Sequence, residues 1–66
     1  MEHRHLRYFI AVADAGAFSR AAARLRITQP ALWRQVHDLE VELGVRLLER
    51  VKNAVTLTDP GELFYE

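Results

Sequence analysis

Phe18-Ser19-Arg20-Ala21-Ala22-Ala23-Arg24-Leu25-Arg26-Ile27-Thr28-Gln29-Pro30-Ala31-Leu32-Trp33-Arg34-Gln35-Val36 is the stretch that decides the fold. It reads as a short helix, a tight turn and a second, longer helix. Arg20, Arg24, Arg26 and Arg34 lie within it and no carboxylate interrupts them. A helix-turn-helix with that charge bias points to a device that lays one helix in the major groove of DNA.

Working outward, the charge of the whole chain hides this bias. Nine Lys and Arg balance nine Asp and Glu, a formal net charge of zero. Residues 1–36 hold six arginines against two carboxylates, a formal +4. Residues 37–66 hold three cations against seven carboxylates, a formal −4. Such asymmetry predicts one surface suited to an anion and another that is not. The plainer reading, two solvated faces, does not explain why the arginines gather at the turn.

Sixty-six residues, half of them hydrophobic, allow one small domain with a thin core. The absence of cysteine removes disulfides and thiolate metal sites. No apolar run reaches membrane-spanning length and no signal peptide is visible, so no membrane partner is expected and a cytoplasmic protein follows by default.

Leu6, Phe9, Ile10 and Ala13 follow the i, i+3, i+4, i+7 spacing of a helix face, which predicts a first helix from about residue 3 to 15, ended by Gly16. A second helix runs from Phe18 or Ser19 to Leu25, with Ala21, Ala22 and Leu25 inward. Ala22 leaves room for two helices to cross closely. Arg26-Ile27-Thr28 forms the turn, with Thr28 as N-cap and Pro30 in the first turn of a third helix from Gln29 to about Leu43. Leu32, Val36, Leu39 and Leu43 form that helix's buried stripe and Gly44 stops it. Leu47-Leu48 and Val55-Thr56-Leu57, separated by Arg50-Val51-Lys52-Asn53, predict a small β-hairpin. Asp59 can then cap a further helix, with Pro60 at its first position and Glu62 closing a capping box. The sequence ends within that helix with no C-cap, as an excised domain would. The fold class is mainly α: a winged helix-turn-helix, with a three-helix core, a hairpin wing and the start of another helix.

The buried stripe of the third helix leaves Pro30, Trp33, Arg34 and His37 on a largely opposite face, with Thr28 and Gln29 at the helix N-terminus. An amide can pair with adenine, an arginine can fork onto guanine or a phosphate, and an apolar body can meet a thymine methyl. The helix N-terminus adds N–H groups and a positive dipole end. Arg20 and Arg24 would meet the DNA backbone at the groove edge. Lys52, at the wing tip, reaches toward a neighbouring minor groove or phosphate. Arg20 and Arg24 also read as plain solubilising charges, and Trp33 as a core or interface residue.

His3 and His5 point to different sides of a helix and His37 stands apart, so no metal or other cofactor is expected. No Ser/His/Asp set, paired carboxylates or Gly-rich phosphate loop appears, so no enzyme is expected.

With these residues in place, the chain resembles the N-terminal domain of the LysR-type transcriptional regulators. Arg4-His5-Leu6-Arg7-Tyr8-Phe9 resembles the family's opening helix, and Ala15-Gly16-Ala17-Phe18-Ser19-Arg20-Ala21-Ala22 its second-helix entry. Thr28-Gln29-Pro30-Ala31-Leu32 with Arg34-Gln35 resembles the start of its recognition helix. Leu39-Glu40, Glu42-Leu43-Gly44 and Leu47-Leu48-Glu49-Arg50 resemble the junction into the wing, and Leu57-Thr58 with Gly61 the start of its linker helix. The resemblance implies residues 1–58 as the DNA-binding domain and 59–66 as the start of a linker and dimerisation helix. It implies double-stranded operator or promoter DNA as partner, a homodimer or tetramer in the full-length protein, and a small-molecule inducer on a C-terminal domain. Carried over, Gln29, Pro30, Trp33 and Arg34 are groove residues, and Arg50 with Lys52 serves the wing. Three positions depart from the family pattern. Trp33 stands where a small hydroxyl residue is usual. Ala17 replaces a frequent serine, which passes the helix cap to Ser19. Asn53 replaces a frequent wing arginine, which weakens minor-groove contact or passes it to Lys52. The rival from another class is a winged-helix protein-interaction module without DNA, and the carboxylate-free arginine cluster argues against it.

Overall fold

The computed structural model describes residues 2–52 and 54–65. Along the chain come α1 (His3–Ala15), α2 (Phe18–Leu25), α3 (Gln29–Leu43), β1 (Leu48–Val51), β2 (Ala54–Leu57) and α4 (Asp59–Tyr65). The three long helices pack on one another around Phe9, Val12, Leu32, Leu39 and Leu47, which are fully buried. Ala21 and Ala22 are buried where α2 approaches this core, as the small side chains predict. Leu25, Ile27 and Leu43 are half-buried and close its edges. Truncating a large member of so thin a core, Leu32 or Leu39, to alanine would cost about 2–5 kcal/mol.

The turns follow from backbone chemistry. Gly16 takes a left-handed conformation (φ 79°) that a side chain would oppose, and its N–H closes α1 on the Val12 carbonyl at 2.9 Å. Arg26 takes the same conformation at φ 61° without the freedom of glycine. It is held there because Arg26 N–H donates to Ala23 O and Ile27 N–H donates to Ala22 O, the paired bonds of a Schellman ending. Ile27 is thereby turned toward the core. Thr28 Oγ1 then accepts from Ala31 N–H at 3.3 Å and caps α3, with Pro30 in its first turn.

Several sequence expectations need correction. Ser19 does not replace the missing cap of α2: the N-cap is Ala17, with no side-chain hydrogen bond. The strands run further toward the tip than the apolar runs indicated, through Arg50 and Val51 on one side and from Ala54 on the other, with Val51 opposite Ala54. Ladder bonding carries polar residues into a strand that apolar patterning alone assigns to the connection. Leu47 precedes β1 and belongs to the core. Asn53 lies outside the described residues, and Lys52 beside it has φ 58°. Thr58, not Asp59, caps α4: its Oγ1 accepts from Gly61 N–H at 3.1 Å. Asp59 and Pro60 are therefore the first and second helical residues. Glu62 falls one position too late for a capping box, although its carboxylate still sits favourably in the first turn.

The wing is tied into the helices by backbone. Val55 N–H donates to Gly16 O at 2.9 Å and Thr58 N–H to Leu47 O at 3.0 Å. The Thr58 hydroxyl also donates to Arg46 O. At Gly61 an added Cβ would lie 2.1 Å from the Leu47 carbonyl oxygen, so only glycine lets α4 cross here. Tyr65 on α4 donates its phenol hydrogen to Asp14 on α1.

Candidate nucleic-acid interface

The N-terminal half of α3 faces outward. Gln29, Pro30, Trp33 and Arg34 from α3 and Arg50 from β1 line one open depression. A second cleft joins it, bounded by Phe18 and Ser19 of α2, Gln29, and Arg50, Lys52 and Val55 of the wing. The Schellman turn and the Thr28 cap place the start of α3 here, and the Val55–Gly16 bond brings the hairpin alongside. An amide, two guanidinium groups, an ammonium and an indole thus surround one helix end.

Every site residue expected from the sequence is exposed: Arg20, Arg24, Thr28, Gln29, Pro30, Trp33, Arg34, His37, Arg50 and Lys52. Gln29, Pro30, Trp33, Arg34, Arg50 and Lys52 come together in the two joined depressions. Trp33 is 45 % exposed, which removes the core reading of this residue. Its indole lies parallel to the His37 imidazole, with ring centroids 4.5 Å apart and planes inclined by 11°. Thr28 acts as the α3 cap. Arg20 has an internal partner as well: its Nη1 donates to the Ala15 carbonyl at 3.0 Å, answering an orphan acceptor at the end of α1.

Two residues that the sequence reading passed over organise the site. The Phe18 ring lies under the Arg50 guanidinium, 5.0 Å from ring centroid to Cζ, a cation–π contact that orders the wing cation beside α2. Glu40 holds the far side of α3: its Oε2 accepts from Leu47 N–H at 2.7 Å and Leu48 N–H at 3.1 Å, at the entry to the wing. A carboxylate one residue after the buried Leu39 was the available signal, but its acceptors' partners lie beyond the reach of helix periodicity.

Among the described residues, no group of three or more His, Cys, Asp or Glu could hold a metal ion. None of their helices is long and apolar enough to cross a membrane.

The family model for the bacterial regulatory helix-turn-helix proteins of the lysR family matches residues 3–62. The chain belongs to this family. Its portion is the winged helix-turn-helix DNA-binding domain, and the family role is regulatory. The chain is 52 % identical over 66 residues to the transcriptional regulator BenM of Acinetobacter baylyi, covering all of this chain and 22 % of BenM. It is 56 % identical over 64 residues to the regulator AlsR of Bacillus subtilis, covering 97 % of this chain and 21 % of AlsR. The chain thus spans about a fifth of the length of these curated relatives. Among solved structures, it superposes on the CbnR DNA-binding domain in complex with DNA with a TM-score of 0.94 at 51 % identity, covering 98 % of this chain and 75 % of that one. For the BenM DNA-binding domain on benA site 1 DNA the TM-score is 0.93 at 52 % identity, covering 98 % of this chain and 76 % of that one. These likenesses favour DNA binding over the interaction-module alternative.

Proposed function

We propose that this chain reads double-stranded operator DNA by laying the N-terminal half of α3 in the major groove. The convergence of Gln29, Trp33 and Arg34 of α3 with Arg50 of the wing around one open depression carries this reading. An α-helix with its side chains is about 10–12 Å across and the major groove about 12 Å wide, so α3 fits end-first with its exposed face against base edges. Gln29 and Arg34 supply hydrogen bonds to bases, and Pro30 and Trp33 supply apolar and ring surface, with His37 stacked on Trp33. The positive end of the α3 dipole, beside Thr28, favours a phosphate there. Arg20 and Arg24 on α2 hold the phosphate backbone, and Arg50 and Lys52 hold it from the wing.

The relatives solved on DNA support this geometry by likeness of fold and sequence. For the whole protein we propose transcription regulation in the bacterial cytoplasm without enzymatic activity. Residues 1–58 serve as the DNA-binding domain and 59–66 open a linker helix that pairs subunits into a dimer or tetramer. A small-molecule inducer acts on a C-terminal domain. Selection of bound sequences from random duplexes, followed by gel-shift titration over salt, tests the reading. It predicts a recovered consensus and an affinity that falls steeply as salt rises. Binding without sequence preference would overturn it.

A further inference from the structure

Trp33 belongs to two surfaces at once. Its one side borders the depression with Gln29, Pro30, Arg34 and Arg50. Its other side meets His37, at the edge of a second groove that continues past Val41 and Val45. The two rings are four residues apart on α3, the spacing that brings side chains together on one helix face. They lie nearly parallel, at 11° and 4.5 Å between centroids, within the range of offset stacking. Neither ring is buried.

An exposed indole without a neighbour samples several rotamers and must surrender that freedom on binding. A stacked indole has already surrendered it, so less of the contact energy is lost when DNA arrives. The imidazole therefore does something that the helix backbone alone does not: it holds the indole in one pose before the encounter. Indole has one N–H donor and no acceptor, so it cannot pair bidentately with a base edge as glutamine or arginine does. Its apolar edge suits the one apolar group in the major groove, the C5-methyl of thymine.

We propose that Trp33 and His37 form one reading unit, in which His37 is a positioning residue that sets the Trp33 indole against a thymine C5-methyl. This rests on the groove reading of α3 given above. The unit assigns a T·A preference to one base step of the operator, next to the step read by Arg34, the neighbouring residue.

The test uses the 66-residue chain and its own selected duplex. Each thymine is replaced singly by deoxyuridine, which removes the methyl group and nothing else. At one position the wild type loses about fourfold in affinity, the worth of one buried methyl. Trp33→Ser binds the two duplexes alike. His37→Ala also loses most of this discrimination, although the indole is still present. His37→Phe, which restores a flat ring, recovers it. The double variant Trp33→Ser/His37→Ala also binds the two duplexes alike, with no further change from His37→Ala once the indole is gone. Melting temperatures close to wild type for all variants exclude a general loss of fold.

Full methyl discrimination in His37→Ala would overturn the positioning role. Failure of His37→Phe to restore it would show that the imidazole contacts DNA by its nitrogens instead. A wild type that selects a sequence yet ignores every uracil would overturn the pair and leave the groove reading standing. A wild type that selects no sequence would remove the groove reading itself.

Discussion

The two halves of α3 are the same helix put to opposite uses. In the N-terminal half, Gln29, Trp33 and Arg34 are exposed around an open depression. In the C-terminal half, the Glu40 carboxylate is committed to two backbone N–H groups at the wing entry. Polar side chains left outward can serve a ligand, whereas those already satisfied inside serve the fold. The difference also separates the chain's charges, since the arginine-rich stretch ends before Asp38. Substituting an outward residue of the first half, Gln29, Trp33 or Arg34, should therefore change recognition and spare stability, and substituting Glu40 should do the reverse.

Glu40→Ala offers the largest effect. It leaves the Leu47 and Leu48 N–H groups without their acceptor at the base of the wing. The expected loss is about 2–3 kcal/mol of stability, seen in thermal or urea unfolding. The consensus selected by the folded fraction should not change. A shifted consensus would show that the two halves are not separate.

Arg34→Ala is the counterpart. Affinity for the selected duplex should fall by about 1–3 kcal/mol with preference relaxed at one base position. The melting temperature should stay close to wild type, because Arg34 is exposed. Equal affinity together with the same consensus would remove its reading role.

Arg20→Ala sharpens the comparison, because Arg20 has a foot in each camp. Its guanidinium donates to the Ala15 carbonyl yet remains exposed. Stability should drop by about 1 kcal/mol. Binding should weaken for all sequences alike, and the salt slope should flatten by about one phosphate contact. A changed sequence preference with an unchanged slope would contradict this.

The smallest effect concerns α4. Its hydrogen bond to Asp14, then the charge of that carboxylate, and then desolvation push the Tyr65 phenol above its ordinary value of 10. The folded state thus favours the protonated phenol. Its contribution is complete below the unfolded value and is lost as pH rises through the folded one. Melting followed from neutral pH to above about pH 10 should show a slight decline that Tyr65→Phe lacks. An identical decline in both would mean that the Tyr65–Asp14 bond contributes nothing.

Much of this was legible in the residues themselves. The helical spans of α1, α2 and α3 follow apolar spacing and the Thr28 cap, which are local signals. The outward cluster on α3 follows from the same periodicity, since Leu32, Val36 and Leu39 fix which face is buried. What escaped depends on contacts between distant segments. Thr58 outcompetes Asp59 as cap because its hydroxyl can also donate to Arg46 O, which the local motif does not contain. Phe18 reads only as the start of the second helix until the wing brings Arg50 over its ring. Ser19 looked like a substitute cap, but a residue already inside the helix cannot take the N-cap's place.

The division of α3 is tested most directly by the nuclear magnetic resonance of the amide and indole N–H groups while the selected duplex is added. Trp33 is the chain's single tryptophan, so its indole gives one unambiguous signal. The account predicts large shifts for that indole and for the amides of residues 28, 29 and 31–37, with smaller ones at Arg50 and Lys52 and little change from Leu39 to Gly44. A still indole, with shifts centred on Val41 and Val45, would contradict it and put the other end of α3 against the DNA.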